Sequence, residues 1–145
     1  MKAKTKIFIS IIVIVVVLIA ISAIWFFYPK TFLSGVEPAD ISSISVFDGN
    51  TGKSFVIEDL DEISHIVENI HSNKMVRNKT VGRVDGFCFS MIFYNSNGEE
   101  IDSFIINSEN TIRDDSFFYR CDGGLCFDYL KELEDKYVKW LPNTF

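Results

Sequence analysis

The sequence predicts an α+β domain carried behind one long apolar helix, and three observations lead there. Residues 7–28 form an uncharged apolar run. Short β-rich segments closed by Gly- and Asn-rich turns recur between residues 41 and 120. Two amphipathic stretches, 59–72 and 125–140, are interleaved with them. Hairpin-linked strands with two helices imply a mostly antiparallel sheet covered by the helices, in place of parallel βαβ units. Sixteen aromatic residues lie beyond residue 28, enough bulk for this part to fold without a metal or a disulfide.

Ile7 to Tyr28 reads IFISIIVIVVVLIAISAIWFFY, 22 residues of which sixteen are Ile, Val, Leu or Phe and only Ser10 and Ser22 are polar. As a helix rising about 1.5 Å per residue, the run reaches roughly 33 Å, long enough for a hydrocarbon core of about 30 Å. The lipid bilayer is therefore the expected partner of residues 7–28. Lys2, Lys4 and Lys6 precede the run, whereas Lys30 alone follows it before Glu37 and Asp40. This asymmetry predicts a cytoplasmic N-terminus and an extracytoplasmic C-terminal domain. Trp25, Phe26, Phe27 and Tyr28 suit an aromatic belt at the outer interface. The competing reading is a signal peptide cleaved after Ala23, with Ile21 at the position that favours small residues.

Residues 29–39 lack a sustained period and contain Pro29, Gly35 and Pro38, the pattern of a stalk. The exported domain is expected to start near Asp40. Ile41–Phe47 and Ser54–Ile57 form a hairpin around Asp48-Gly49-Asn50-Thr51-Gly52. Asp59 and Glu62 have capping-box spacing, and Leu60, Ile63, Val67 and Ile70 set a helical stripe over 59–72. Residues 74–81 are ambiguous between strand and loop. Phe87–Tyr94 alternates most regularly, and Asn95-Ser96-Asn97-Gly98 turns it into Ile101–Ile106. Short strands follow at 111–113 and 116–120. A last helix over 125–140 places Cys126, Leu130, Leu133, Tyr137, Trp140 and Leu141 on one stripe.

Beyond residue 28 the chain has 11 basic against 20 acidic side chains, a net charge of −9. Such a balance excludes a basic nucleic-acid binder and disfavours contact with anionic lipid headgroups. Gly49-Asn50-Thr51-Gly52-Lys53-Ser54 falls short of a phosphate loop, because Phe47 stands where the first glycine belongs and a β-rich segment follows where a helix is required. Asp48, Asn50 and Asp59 occupy positions 1, 3 and 12 of a calcium loop whose sixth position is Lys53 instead of glycine. His65 and His71, six apart on one helix, point to different sides and read as solvated residues. The ending Leu141-Pro142-Asn143-Thr144-Phe145 shares four letters with the sorting signal L-P-x-T-G, a chance likeness with Phe145 in the glycine's place.

Three cysteines remain. Cys121 and Cys126 enclose Asp-Gly-Gly-Leu, a spacing that fits neither a redox C-x-x-C nor a zinc set, but that a disulfide closing a small loop satisfies in an exported protein. Cys88 reads as a small buried residue. The carboxylate pairs Asp114-Asp115 and Glu99-Glu100, and the helical Glu132, Glu134 and Asp135, read as solvated charge. No catalytic, cofactor-binding or metal-binding set is expected.

The order of an anchor, the D-G-N-T-G-K turn, the helix E-D-L-D-E-I-S-H-I-V, the strand G-F-C-F-S-M-I-F-Y-N-S-N-G, and the segments F-I-I-N-S-E-N-T-I and F-F-Y-R-C-D-G-G-L-C-F-D-Y-L resembles small membrane-anchored exported domains of Gram-positive bacteria. The likeness spans about residues 40–137. It implies sensing or interaction over catalysis and supplies no site residues. The expected function is a protein-interaction or sensing module that meets a membrane or cell-surface protein, with Tyr94, Phe117 and Phe118 as the candidate surface. The alternatives are a small exported enzyme using a cysteine or carboxylate, and a secreted ligand-binding domain released by cleavage.

Overall fold

The computed structural model describes residues 3–82, 88–114 and 117–138. The apolar run is one helix, α1 (Ala3–Phe27), whose most apolar 18 residues average a mean hydropathy of 3.4 and of which no residue is buried. It is long and apolar enough to span a membrane. It has no polar face, so in water it would expose apolar surface on every side. The Ser22 hydroxyl donates to the Leu18 carbonyl at 2.8 Å, which satisfies a polar group inside the helix itself.

The rest is α+β, as expected. Seven strands, β1 (Ser43–Asp48), β2 (Lys53–Ile57), β3 (Val76–Thr80), β4 (Phe89–Tyr94), β5 (Glu100–Ser108), β6 (Thr111–Asp114) and β7 (Phe117–Arg120), form one antiparallel sheet in the order β2-β1-β4-β5-β6-β7-β3. Helix α2 (Leu60–Ser72) joins β2 to β3, and α3 (Phe127–Val138) follows β7. Trp140 and Leu141, expected on the last helical stripe, and Phe87, expected at the start of β4, lie outside the described residues.

Turn chemistry sets the two long hairpins. Asp48 Oδ1 accepts from the Asn50 amide at 2.7 Å, and Gly52 takes a φ of +73° that costs a side-chain-bearing residue. Asn95 Oδ1 accepts from the amides of Asn97 and Glu99, both at 2.9 Å, with Gly98 at +77°. Asp59 caps α2 by accepting from the amides of Asp61 and Glu62. The reciprocal half of the expected capping box is absent, because the Glu62 side chain crosses to α3 instead.

Alternation then sorts the side chains. One row runs across all seven strands on the covered face: Lys53, Asp48, Phe89, Ile106, Ile112, Tyr119 and Arg77. Beside it lie Phe55, Val46, Met91 and Phe104. The apolar members of both rows share one buried cluster with Ile63, Ile66, Val67 and Ile70 of α2 and Leu130 and Leu133 of α3. Phe89 meets Phe127 edge-on at 5.5 Å, and Phe55 stacks on Tyr137 at 5.9 Å.

The expected stalk is corrected. Residues 29–39 belong to the fold: Phe32 and Leu33 are 1% and 2% exposed, and Phe32 sits edge-on to Phe104 at 5.0 Å and Tyr119 at 5.3 Å. The amide and carbonyl of Lys30 pair with those of Met75, which ties the segment to the start of β3. Leu33 holds φ at +54°, a conformation disfavoured for a leucine. Its carbonyl lies 2.8 Å from Nε2 of His71, so His71, exposed as expected, also has a structural partner. The ambiguous segment 74–81 contains β3, an edge strand paired only with β7 and irregular between Arg77 and Lys79. Its sequence, VRNKT, carries no alternation because an edge strand faces solvent along most of its length.

Candidate functional site

Shifting one residue along each strand, or two across the irregularity of β3, leads to the opposite face of the sheet. There the row is Ser54, Phe47, Ser90, Ile105, Arg113, Phe118 and Lys79, again across all seven strands. A second row holds Val56, Ser45, Ile92 and Ser103, and Tyr94 lies one step beyond Ile92 on β4. Neither α2 nor α3 packs here, since their buried side chains join the cluster on the other face. Small hydroxyl residues alternate with half-buried Ile92, Ile105 and Tyr94. Ser90, Ser103, Ile105 and Arg113 border a shallow depression of about 320 Å³. The half-buried Arg113 makes no ion pair or hydrogen bond with the described residues. Because a guanidinium is always charged and offers five donors, it is suited to an incoming carboxylate.

The predicted surface trio does not converge. Tyr94 and Phe118 are on this open face but three strands apart, roughly 14 Å at the usual strand spacing. Phe118 is only 7% exposed, with Lys79 over its ring at 5.1 Å. Phe117 is on the covered face, where its ring meets Phe26 of α1 at 6.1 Å and 82°. Of the three, only Tyr94 is a half-buried residue of the open face, where Ile92, Ile105 and Arg113 are half-buried too.

Phe117 belongs to a second constellation, at the junction between α1 and β3. The Arg77 guanidinium lies 4.1 Å from the Phe117 ring centre, 5.0 Å from Phe26, 5.1 Å from Trp25 and 5.8 Å from Tyr119. Its Nη2 reaches the Tyr119 hydroxyl at 3.5 Å, while Nε and Nη1 are buried without a hydrogen-bond partner among the described residues. Nearby, Lys30 pairs with Asp114 and lies 4.4 Å from the Phe32 ring centre. Ile21, Ile24, Trp25, Tyr28, Pro29, Lys30 and Arg77 line a predominantly apolar groove of about 500 Å³. Nothing in local sequence connects Lys30, Arg77 and Asp114; the antiparallel order of β6, β7 and β3 assembles them.

The expected Cys121–Cys126 bridge is likewise corrected: both cysteines, and Cys88, are free thiols. The Cys121 thiol donates to the Gly123 carbonyl at 3.1 Å, and Cys126 is buried at the start of α3. Gly123 serves packing, and Gly124 contributes its carbonyl. A Cβ on Gly123 would collide with the Asn73 amide oxygen, and Asn69 Nδ2 donates to the Gly124 carbonyl at 3.0 Å. Burial pushes the Cys126 thiol up to about 12 and raises Cys121 as well, the direction opposite to an activated nucleophile. Cys88 is half-buried, and its sulfur accepts from Asn50 Nδ2 at 3.1 Å.

The remaining candidates have local roles. Asp48 holds the β1–β2 turn and Asp59 caps α2, so these calcium-loop positions serve the backbone. Glu134 accepts from the Thr51 hydroxyl at 2.7 Å. His65 lies against the Tyr129 ring at 4.3 Å. Among the described residues, no group of three His, Cys, Asp or Glu side chains is placed to hold a metal ion. Compared with protein-family models, curated proteins and solved structures, the chain matches none of them.

Proposed function

We propose that this is a single-pass membrane protein, anchored by α1 with its N-terminus in the cytoplasm, whose extracytoplasmic domain binds another membrane or cell-surface protein through the open face of the sheet. The observation that carries the reading is the Arg113 surface. A guanidinium with no partner among the described residues is set among Ser90, Ser103 and Ile105, with Ile92 and Tyr94 beside them. Such a surface matches a partner that presents a carboxylate flanked by apolar or aromatic side chains. The three lysines before α1 and the aromatic residues at its end support the orientation. A cysteine enzyme is the weaker reading, because Cys121 and Cys126 are both held toward the neutral thiol.

The test uses the full chain on intact cells, with a photo-reactive residue at Ser103 and a C-terminal tag. The expected result is a discrete protein adduct that disappears when Arg113→Glu is added and persists with Lys53→Gln at the far edge. Absence of an adduct, with the tag reachable by an impermeant reagent, overturns the docking face and leaves the topology standing. A tag reachable only after permeabilisation overturns the orientation.

A further inference from the structure

We infer that the groove between the end of α1 and β3 is a binding site for an anionic phospholipid of the outer leaflet, with Arg77 directed at the headgroup phosphate and Ile21 and Ile24 against the acyl chain. This rests on the membrane-anchor reading above.

Two independent observations meet at the site. The first is the charge distribution. The exported part carries a net charge of −9, yet five of its nine described basic residues, Lys30, Lys74, Arg77, Lys79 and Arg120, lie in or beside the β3 edge. That edge is where α1 meets the domain, through Trp25 and Phe26 against Arg77. The total charge therefore misleads: this margin is mainly basic, with Asp114 and Asp122 beside its five cations, and it lies where α1 meets the domain. A lysine or arginine close to an anionic membrane contributes about 1 kcal/mol of attraction, which a zwitterionic surface does not provide.

The second observation is the incomplete solvation of Arg77. Two of its nitrogens are buried without acceptors among the described residues, four aromatic rings supply only face attraction, and no described carboxylate pairs with it. A structural arginine in an acidic domain would be expected to find one of the many carboxylates; Lys30 does so nearby with Asp114. A phosphate at the groove supplies the missing acceptor, with the side chain drawn partly out of its rings. The lining matches the rest of such a lipid. Ile21 and Ile24 are on the last turns of the apolar helix, while Trp25 and Tyr28 have the amphipathic character of residues at headgroup level.

The test begins with cell membranes holding the full chain, washed in alkaline carbonate. A chain released by the wash overturns the anchor reading and the lipid site with it. A retained chain is placed in nanodiscs of equal parts phosphatidylglycerol and phosphatidylcholine, extracted in mild detergent, and its bound lipids are counted by native mass spectrometry. The expected result is retention of phosphatidylglycerol over phosphatidylcholine, with the preference falling about fivefold in Arg77→Gln. Ile24→Trp, which fills the groove from an exposed position outside the core, is expected to lower phosphatidylglycerol retention comparably. Lys53→Gln, on the opposite edge strand, should leave it unchanged. Equal retention of the two lipids by a membrane-retained chain, or an undiminished preference in either groove variant, overturns the site and not the anchor. Where Arg77→Gln fails to fold, Ile24→Trp decides alone.

Discussion

The two ends of the sheet treat a buried or half-buried charged side chain in opposite ways. At the β2 end, a carboxylate does the work: Glu62 of α2, 8% exposed, receives Lys136 and the Tyr137 hydroxyl of α3, the latter at 2.7 Å. Tyr137 then stacks on Phe55, so one polar contact registers α2, α3 and the sheet together. At the β3 end, rings surround Arg77 and no described acid answers it. The difference teaches that polar groups inside one small fold can serve closure at one margin and remain available at another. The closed end holds helices to the sheet, whereas the open-valence end lies beside the apolar helix.

Three predictions break or sharpen that contrast, in order of size. Phe32→Ala is expected to cost about 3–5 kcal/mol of stability, because it removes a buried ring packed on Phe104 and Tyr119. Denaturant unfolding of the full chain in detergent measures it. A loss below about 0.5 kcal/mol, the usual range for surface positions, would mean that residues 29–39 are a stalk after all and that the β3 end is loosely attached. Glu62→Ala should cost about 1–3 kcal/mol, since it leaves the Tyr137 hydroxyl without its acceptor beneath Lys136. The same unfolding curves report it, and an unchanged midpoint would remove the supposed asymmetry between the ends.

The third prediction concerns pH and is silent under neutral conditions. The Cys126 thiol has a folded pKa of about 12 against an ordinary 9.0 because burial disfavours the thiolate. Above pH 9 the unfolded chain releases this proton while the folded chain retains it. Stability is therefore whole below pH 9 and declines as the pH climbs toward 12. The Tyr137 hydroxyl, raised by burial and by its bond to Glu62, acts in the same direction at higher pH. Cys126→Ala should flatten the first part of that decline in melting temperatures taken from pH 8 to 11. An identical alkaline slope in the variant would show the thiol to be solvated.

Much of this architecture was legible in the chain because it rests on local physics. The hydrocarbon-length run, the turns at Gly52 and Gly98, the Asp59 cap and the alternation of β4 each follow from a few neighbouring residues. Three readings failed where distant residues decided. Phe32 and Leu33 looked like part of a stalk because a buried irregular segment has no period to detect. Gly123 and Gly124 looked like spacers for a disulfide, since the Asn73 side chain that excludes a Cβ at Gly123 comes from the distant end of α2. The aromatic trio looked like one surface because sequence spacing does not show that β4 and β7 are separated by two strands.

By itself, then, the sequence determined the α+β class, the apolar helix and its charged flank, and the acidic sum of the domain, all properties additive over residues or set by short-range geometry. Only the tertiary structure decided where the charge lies and which side chains stand unanswered. Strand order brings Lys30, Arg77 and Asp114 beside α1 and sets Arg113 on the open face, although 84 positions separate Lys30 from Asp114. Electrostatics and packing depend on distance in space, and a one-dimensional chain carries that distance only through the sheet order it folds into.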